Sequence, residues 1–450
     1  MGTLLKGFLF CVMQEISITE LYKLFELCNQ TVCTDTRKII KGSLFFALSG
    51  SNYNANDFAQ FALENGCQYA IVTEPSHLED KRIIRVQDTL KTLQQLANYH
   101  RKKFHLPVLA ITGSNGKTTH KELINVVLSK KFKTLATFGN LNNHIGVPLT
   151  LLNIRQEHEF AIIEMGANHK GEIAELCSIA EPNFGLITNI GKAHLEGFGG
   201  IEGVKIGKSE LYKHLAKVSG KVFLNSDDEV LKELAHNNTI ISYGSNSQSD
   251  VIGQIQASSE NVKFKYATSA NQLNWDAKPV IHTNIVGAYN YINCLAAVCI
   301  GHYFGLDEMQ IKTALEEYVP NMNRSQMVDT GKNKLILDAY NANPSSMKAA
   351  IENFAHYPAQ QKLLLLGDMF ELGDYSKEEH QKIINLLKQH QLLNTILVGE
   401  EFLNIGDNTF KAFKTTEECK NYLKTLTITK YSILIKGSRG MKMEVLQDLF

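Results

Sequence analysis

Val108-Leu-Ala-Ile-Thr-Gly-Ser-Asn-Gly-Lys-Thr-Thr119 is the stretch whose reading decides the fold. Its first five residues form an apolar, strand-like run, and Lys117 opens a helical pattern that continues to about Ser129. Between them Gly113 and Gly116 bracket Ser114 and Asn115. A strand, a tight turn and a helix start in that order make a phosphate cradle. The glycines let successive backbone N–H groups turn inward, and the helix end adds partial positive charge. Lys117 has the reach to meet terminal phosphates, and the Thr118 hydroxyl, with Thr119 beside it, can hold a magnesium ion. The commonest phosphate-loop spacing has a glycine where Ile111 stands, so this loop is a shorter form. The plain alternative is an ordinary strand–turn–helix corner.

Outward from this stretch the pattern alternates. Strands are predicted at 108–112, 160–164, 185–189 and 221–224, with helical segments between them. Such alternation predicts a mostly parallel sheet with helices on both faces. A polar, strand-rich piece covers about 239–286, an apolar helix runs from Asn290 to His302, and 318–324 reads as a linker. Alternation then restarts, with strands at 334–338, 362–367, 394–398 and 432–436 and helices at 345–356, 376–390 and 416–425. That is a second, smaller doubly wound unit. Ahead of the loop lie a helix at 17–28 capped by Ser17, strands within 41–48 and 69–73, and helices at 57–65 and 88–103. The fold class is α/β, with expected domains at 1–105, 106–318 and 319–450.

Composition narrows the functional classes. Lysine plus arginine and aspartate plus glutamate number 46 each, so nothing in the bulk charge argues for nucleic acid. The eight cysteines form no Cys-x-x-Cys pair, which indicates neither a zinc site nor a disulfide framework. Cys294 and Cys299 read as core thiols. No apolar run approaches the ~20 residues of a membrane span. The short apolar opening lacks a cleavage site, a clean helical pattern begins just after Met13, and Met13 is the expected start. A cytoplasmic protein is expected.

Several strand ends carry polar groups. Phe160-Ala-Ile-Ile-Glu-Met-Gly166 ends a strand in Glu164, the type of carboxylate that holds magnesium beside a phosphate loop. Ile187-Thr-Asn-Ile-Gly-Lys-Ala-His194 puts a histidine at another strand end, where it is as readily structural as a ligand. Gly139-Asn-Leu-Asn-Asn-His-Ile-Gly-Val-Pro148 is rich in amides that serve either a polar ligand or turns. Lys205 and Lys208 precede Ser209-Glu-Leu, where a solvated helix face is the plain reading. Asp338-Ala-Tyr-Asn-Ala-Asn-Pro344, Leu366-Gly-Asp-Met-Phe-Glu-Leu-Gly373 and Ile435-Lys-Gly-Ser-Arg439 lie at strand ends of the last unit. Three such loops on one sheet edge argue for a ligand-facing rim.

Together these stretches, from about Thr34 to Arg439, resemble the Mur ligase family, the ATP-dependent amide ligases of peptidoglycan synthesis. The asparagine-rich run and Ala339-Tyr-Asn-Ala-Asn-Pro344 are most similar to the type that joins D-alanyl-D-alanine to a UDP-N-acetylmuramoyl-tripeptide. The resemblance implies a UDP-binding first domain, a central ATPase and a Rossmann-like last domain, acting as a monomer. It implies that Thr118 and Glu164 hold one magnesium ion. It also implies that His194 and a carbamylated lysine, Lys208 or alternatively Lys205, help to hold a second. Asn290 would lie near the adenine, and Arg324 and Asp338 would reach the nucleotide from the last domain. Thr36 and Arg37 would meet the UDP, and Asn142, Asn143, Asn341, Asn343, Lys436 and Arg439 are the other expected substrate contacts.

One stretch departs from the family pattern: Asn54-Ala-Asn-Asp-Phe58 stands where an Asp-Gly-His-like run is common. The rivals are a sister ligase, a folylpolyglutamate-type ligase and a catalytically silent nucleotide-binding regulator. A phosphate-loop kinase or GTPase would account for Gly116-Lys-Thr118 but not for the second rim.

Overall fold

The structure, a computed structural model, describes residues 16–50, 53–74, 80–256, 260–268, 273–321 and 323–450. The choice of Met13 as start and the linker residue Met322 lie outside the described residues. The chain divides into two compact units: Met1–His105 with His144–Gln156, and Leu106–Asn143 with Glu157–Phe450.

In the first unit, helix Ile18–Leu27 begins at Ser17, whose hydroxyl accepts from the Glu20 N–H while the Glu20 carboxylate accepts from the Ser17 N–H. Four parallel strands follow in order, β1 (Val32–Cys33), β2 (Leu44–Phe46), β3 (Tyr69–Val72) and β4 (Ile83–Arg85). β1 and β4 escape sequence reading because two or three residues show no periodicity. Helix Thr89–Lys102, capped by Asp88, packs against helix Gly146–Leu151. Its His100 accepts from the Tyr22 hydroxyl at Nδ1 (3.0 Å) and donates from Nε2 to the Ile154 carbonyl (2.9 Å). Burial pushes this imidazole down to about 4, so it is neutral.

The second unit holds two sheets. The larger contains β5 (Val108–Thr112), β6 (Thr134–Ala136), β7 (Phe160–Glu164), β8 (Phe184–Ile187), β9 (Lys221–Asn225), β10 (Thr239–Gly244), β11 (Val251–Ile255), β12 (Asn261–Ala267) and β13 (Ile281–Val286). Their order is β13-β12-β11-β10-β9-β8-β5-β7-β6, parallel except where β12 meets its neighbours. All five residues of β5 are buried, which is why its sequence is a continuous apolar run. Helices Lys117–Leu128 and Tyr291–Tyr303 join Leu109, Ile111, Phe160 and Leu186 in one core. Cys294 and Cys299 are buried thiols within it.

The smaller sheet contains β14 (Gln326–Asp329), β15 (Lys334–Asp338), β16 (Lys362–Gly367), β17 (Thr395–Val398), β18 (Lys411–Phe413) and β19 (Ser432–Lys436). Its order is β14-β15-β19-β16-β17-β18, with β14 antiparallel at one edge. The four strands expected from the sequence are its interior. The short edge strands β14 and β18 were not foreseen, because edge residues are half-solvated and need no apolar run.

Candidate active site

β5 ends at Thr112, the chain turns through 113–116, and helix Lys117–Leu128 begins at Gly116 in the left-handed region (φ +76°). Gly113 has φ +139°, and a Cβ there would lie 2.0 Å from the Thr188 hydroxyl, so only glycine fits. The turn is laced to the loop after β8. Thr188 donates to the Asn115 carbonyl (2.6 Å), and Asn115 N–H donates to the Asn189 side-chain oxygen (3.1 Å). Ser114 Oγ donates to the Gly191 carbonyl and accepts from its N–H, each at 2.9 Å. This lacing fixes the loop against the segment that follows β8.

Lys117 folds back so that its ammonium donates to the carbonyls of Gly113 (2.8 Å) and Ser114 (3.3 Å). Burial lowers its pKa, the Glu164 charge opposes the shift and Arg324 adds to it. At the end of β7, Glu164 is 1% exposed. Its carboxylate accepts from Thr118 Oγ1 (2.9 Å) and Asn142 Nδ2 (2.8 Å), and its N–H donates to Thr137 Oγ1 (2.9 Å). Hydroxyl and carboxylate oxygens side by side fit a hard divalent cation such as magnesium. Among the described residues, no cluster of three or more His, Cys, Asp or Glu side chains forms a metal cage, so any such ion would lean on oxygens of a bound phosphate.

Helix Ile201–Lys217 separates the two lysines left open by the sequence. Lys208 is 1% exposed, donates to the Ala167 carbonyl (3.0 Å) and lies 5.1 Å from the centre of the Phe198 ring. Burial, then the nearby Lys117 charge, push its pKa well below the usual lysine range. Lys205 pairs with Glu233 (3.0 Å), and that hydrogen bond raises its pKa. Burial thus disfavours the charged form at Lys208, whereas at Lys205 the ion pair favours it. His194 stands in the left-handed region (φ 53°), as does Glu371 (φ 64°), and Nδ1 of the histidine meets the Glu371 carboxylate. The hydrogen bond from His194 lowers the Glu371 pKa.

The last sheet brings its own polar ends to the same unit. Asp338 pairs with the buried Lys436 (2.5 Å) and accepts from Ser325 N–H (3.2 Å). Arg324 stacks on Tyr340, its Cζ 3.6 Å from the ring centre. Asn343 caps helix Pro344–His356, and its Nδ2 donates to the Asn115 side chain in the phosphate loop (2.7 Å). Asn341 and Arg439 are exposed, the latter paired with Glu444 (3.2 Å). Asn290 is buried, donating to the Val286 carbonyl (2.8 Å) and Ser325 Oγ (3.2 Å). Asn143, next to Asn142, is exposed. In the first unit Asp35 caps the turn at Thr36–Lys38 and grips Arg37, which keeps the Asp35 carboxyl low, at about 2.

The structure thus brings Lys117, Thr118, Glu164 and Asn142 together and ties Asn343 to the loop. Sequence reading missed Thr137, Lys192, Glu371 and Glu379. Glu371 lay inside a quoted motif, but pairing between distant segments leaves no local signal.

A phosphate loop with a buried magnesium-type oxygen pair, bonded to the strand-end rim of a second parallel sheet, defines a nucleotide-using enzyme. The Mur ligase middle domain matches residues 111–301, and the Mur ligase, glutamate ligase domain matches 323–439. The chain is 33% identical over 433 residues to the UDP-N-acetylmuramoyl-tripeptide--D-alanyl-D-alanine ligase of Bacillus subtilis, covering 93% of this chain and 92% of that protein. The crystal structure of MurF from Acinetobacter baumannii superimposes with a TM-score of 0.83 at 33% identity, covering 95% and 97% of the two chains. MurF from Thermotoga maritima in complex with ADP gives 0.83 at 26% identity, covering 94% and 98%. The chain belongs to the Mur ligase family.

Proposed function

We propose that this enzyme joins D-alanyl-D-alanine to UDP-N-acetylmuramoyl-tripeptide, cleaving ATP to ADP and phosphate, as a step of peptidoglycan precursor synthesis. The observation that carries the substrate assignment is the 33% identity to a ligase of that name along 93% of the chain. The domain limits at 105 and 318, action as a monomer and a cytoplasmic location belong to the same reading.

The terminal carboxylate of the tripeptide attacks the γ-phosphorus of ATP, and ADP leaves. The dipeptide amine then attacks the acyl phosphate carbon, phosphate leaves and a proton is lost. Two anions must meet in the first step. Lys117 and the loop N–H groups offset that charge, and Lys117 exchanges two carbonyls for phosphate oxygens as it does so. Thr118 and Glu164 would hold one magnesium ion, and His194 with Lys208 as its carbamate would help to hold a second, supplying positive charge against the phosphates. Burial of Lys208 supports the carbamate, since only a neutral amine adds carbon dioxide. Asn290, Arg324 and Asp338 face the nucleotide in this reading. Thr36 and Arg37 take the UDP, while Asn142, Asn143, Asn341, Asn343, Lys436 and Arg439 align the peptide parts.

A cavity of about 440 Å³ at the ends of β16 and β17 suits the incoming zwitterion. Of its lining residues Glu371 already meets His194, Glu400 pairs with Lys414 (3.0 Å) and Glu401 accepts from Ser376 Oγ (2.6 Å), so an ammonium and a carboxylate would share these matched charges. The test is product mass and ADP release with ATP, each candidate tripeptide nucleotide, and D-alanyl-D-alanine present or omitted. The expected product gains one dipeptide less one water. ADP release indifferent to the dipeptide would overturn the assignment.

A further inference from the structure

Three residues beyond Gly191, which exchanges a pair of hydrogen bonds with Ser114, the chain reaches His194. Between them stands Lys192, which touches the smaller sheet's helices twice. Its N–H donates to Ser345 Oγ in the first turn of helix Pro344–His356 (2.9 Å). Its ammonium donates to Glu379 on helix Ser376–Gln389 (2.7 Å). The Lys192 side chain is 41% exposed but that of Glu379 only 6%, so the carboxylate sits at the bottom of the contact. Lys382, one turn along the same helix, is the other cation on Glu379 (2.9 Å). Being on the same helix, Lys382 satisfies the carboxylate without tying anything to it. Burial raises the Glu379 pKa, but the two lysines outweigh it and hold the carboxyl low and charged. At Gly191 an added Cβ would lie 2.9 Å from Ser345 Oγ, so a side chain there would have to displace that hydroxyl.

We infer that Lys192 and Glu379 are positioning residues that clamp the smaller sheet's rim onto the phosphate loop, setting how near the amine substrate is held to the activated carboxyl. This rests on the ligase reading above. The mechanical path is short: phosphate loop to Ser114, Ser114 to Gly191, Gly191 to Lys192, and Lys192 to two helices of the other sheet. Asn343 to Asn115 (2.7 Å) is a parallel tie between the same two parts. An ion pair suits such a clamp. It acts over a longer range than a hydroxyl contact and weakens with salt.

The experiment compares wild type, Lys192→Met (stem kept, charge lost), Lys192→Arg (charge kept) and Glu379→Gln, all as full chains with matched thermal melts. The clamp predicts that kcat/KM for the dipeptide falls about fivefold in Lys192→Met, while the nucleotide dissociation constant, read by calorimetry, stays within about twofold. Lys192→Arg should recover most of the loss. Glu379→Gln should add little to Lys192→Met in the double variant, as expected of one shared contact. The deficit should shrink at high salt, where wild type falls toward the variant. Wild-type constants in Lys192→Met, an equal loss of nucleotide binding, or no recovery with arginine would overturn the clamp. Small-angle scattering without ligands separates its failure from that of the ligase reading. A larger radius of gyration in Lys192→Met supports the clamp even if wild type ignores the dipeptide. An unchanged radius together with unchanged kinetics removes it.

Discussion

The two strand-end rims of the second unit are built from the same grammar and left in opposite electrostatic states. At the smaller sheet, charges are already matched: Asp338 with Lys436, Arg439 with Glu444, and Asp368 with two helix N–H groups at Glu401 and Phe402. At the larger sheet they are not. Among the described residues Lys117 donates to two carbonyls and Glu164, whose charge is felt at Lys117, accepts from a hydroxyl and an amide rather than from an ammonium, while Lys208 donates to a carbonyl and burial disfavours its charged form. Buried charge without a counter-charge is costly, and folding retains it where a ligand supplies the missing partner. The first rim is therefore poised for a polyanion and its cations, and the second is organised to hold geometry.

Breaking the poised rim should cost most. Lys117→Met keeps the stem and removes the charge facing the phosphates, so kcat should fall about a thousandfold with the fold intact by circular dichroism. Lys208→Ala should lower activity about a hundredfold, and small carboxylic acids should restore part of it if a carbamate is what is missing. Rescue by added amines instead would show that the cation matters. At the matched rim the loss should appear in stability. Lys436→Met leaves Asp338 with only the Ser325 N–H and should destabilise the chain by about 3 kcal/mol in denaturant melts. That figure should exceed any stability change in Lys117→Met, and the reverse order would break the comparison.

Acid should act on both units through neutral buried histidines. His100 and His120 are each pushed down to about 4 by burial, below the usual 6.5. The unfolded chain therefore takes up protons between about 6.5 and 4 while the folded chain does not. The stability they contribute is complete above 6.5 and lost as pH falls toward 4, by about 1–3 kcal/mol for each histidine. Melts of His100→Gln and His120→Gln should be flatter over that range. Smallest of all, Lys205→Ala breaks an exposed pair with Glu233 and should leave activity within about twofold.

The poised rim was legible in sequence because each of its parts is local. Gly113 to Thr118 is one turn, Glu164 closes an apolar strand, and Lys208 sits on a helix beside Ser209. The interior strands were legible because burial on both faces forces apolar runs. What escaped is pairing across distance. Nothing near His194 announces Glu371, nothing near Lys192 announces Glu379, and nothing near Thr137 announces that its hydroxyl accepts from Glu164. The asparagine-rich run also divides in a way no pattern shows. Asn142 reaches Glu164 in the second unit, whereas helix Gly146–Leu151 packs in the first. Short strands such as β1 and β18 failed for want of length.

The most direct test of the poised-rim account omits the dipeptide. Wild-type chain with ATP and UDP-N-acetylmuramoyl-tripeptide should activate the carboxyl at the first rim alone, so hydroxylamine added at that stage should yield the tripeptide hydroxamate. Lys192→Met, which leaves the charges of the first rim in place, should still yield it, and Lys117→Met and Lys208→Ala should not. Hydroxamate that appears in Lys117→Met, or that fails to form in wild type, would contradict the account.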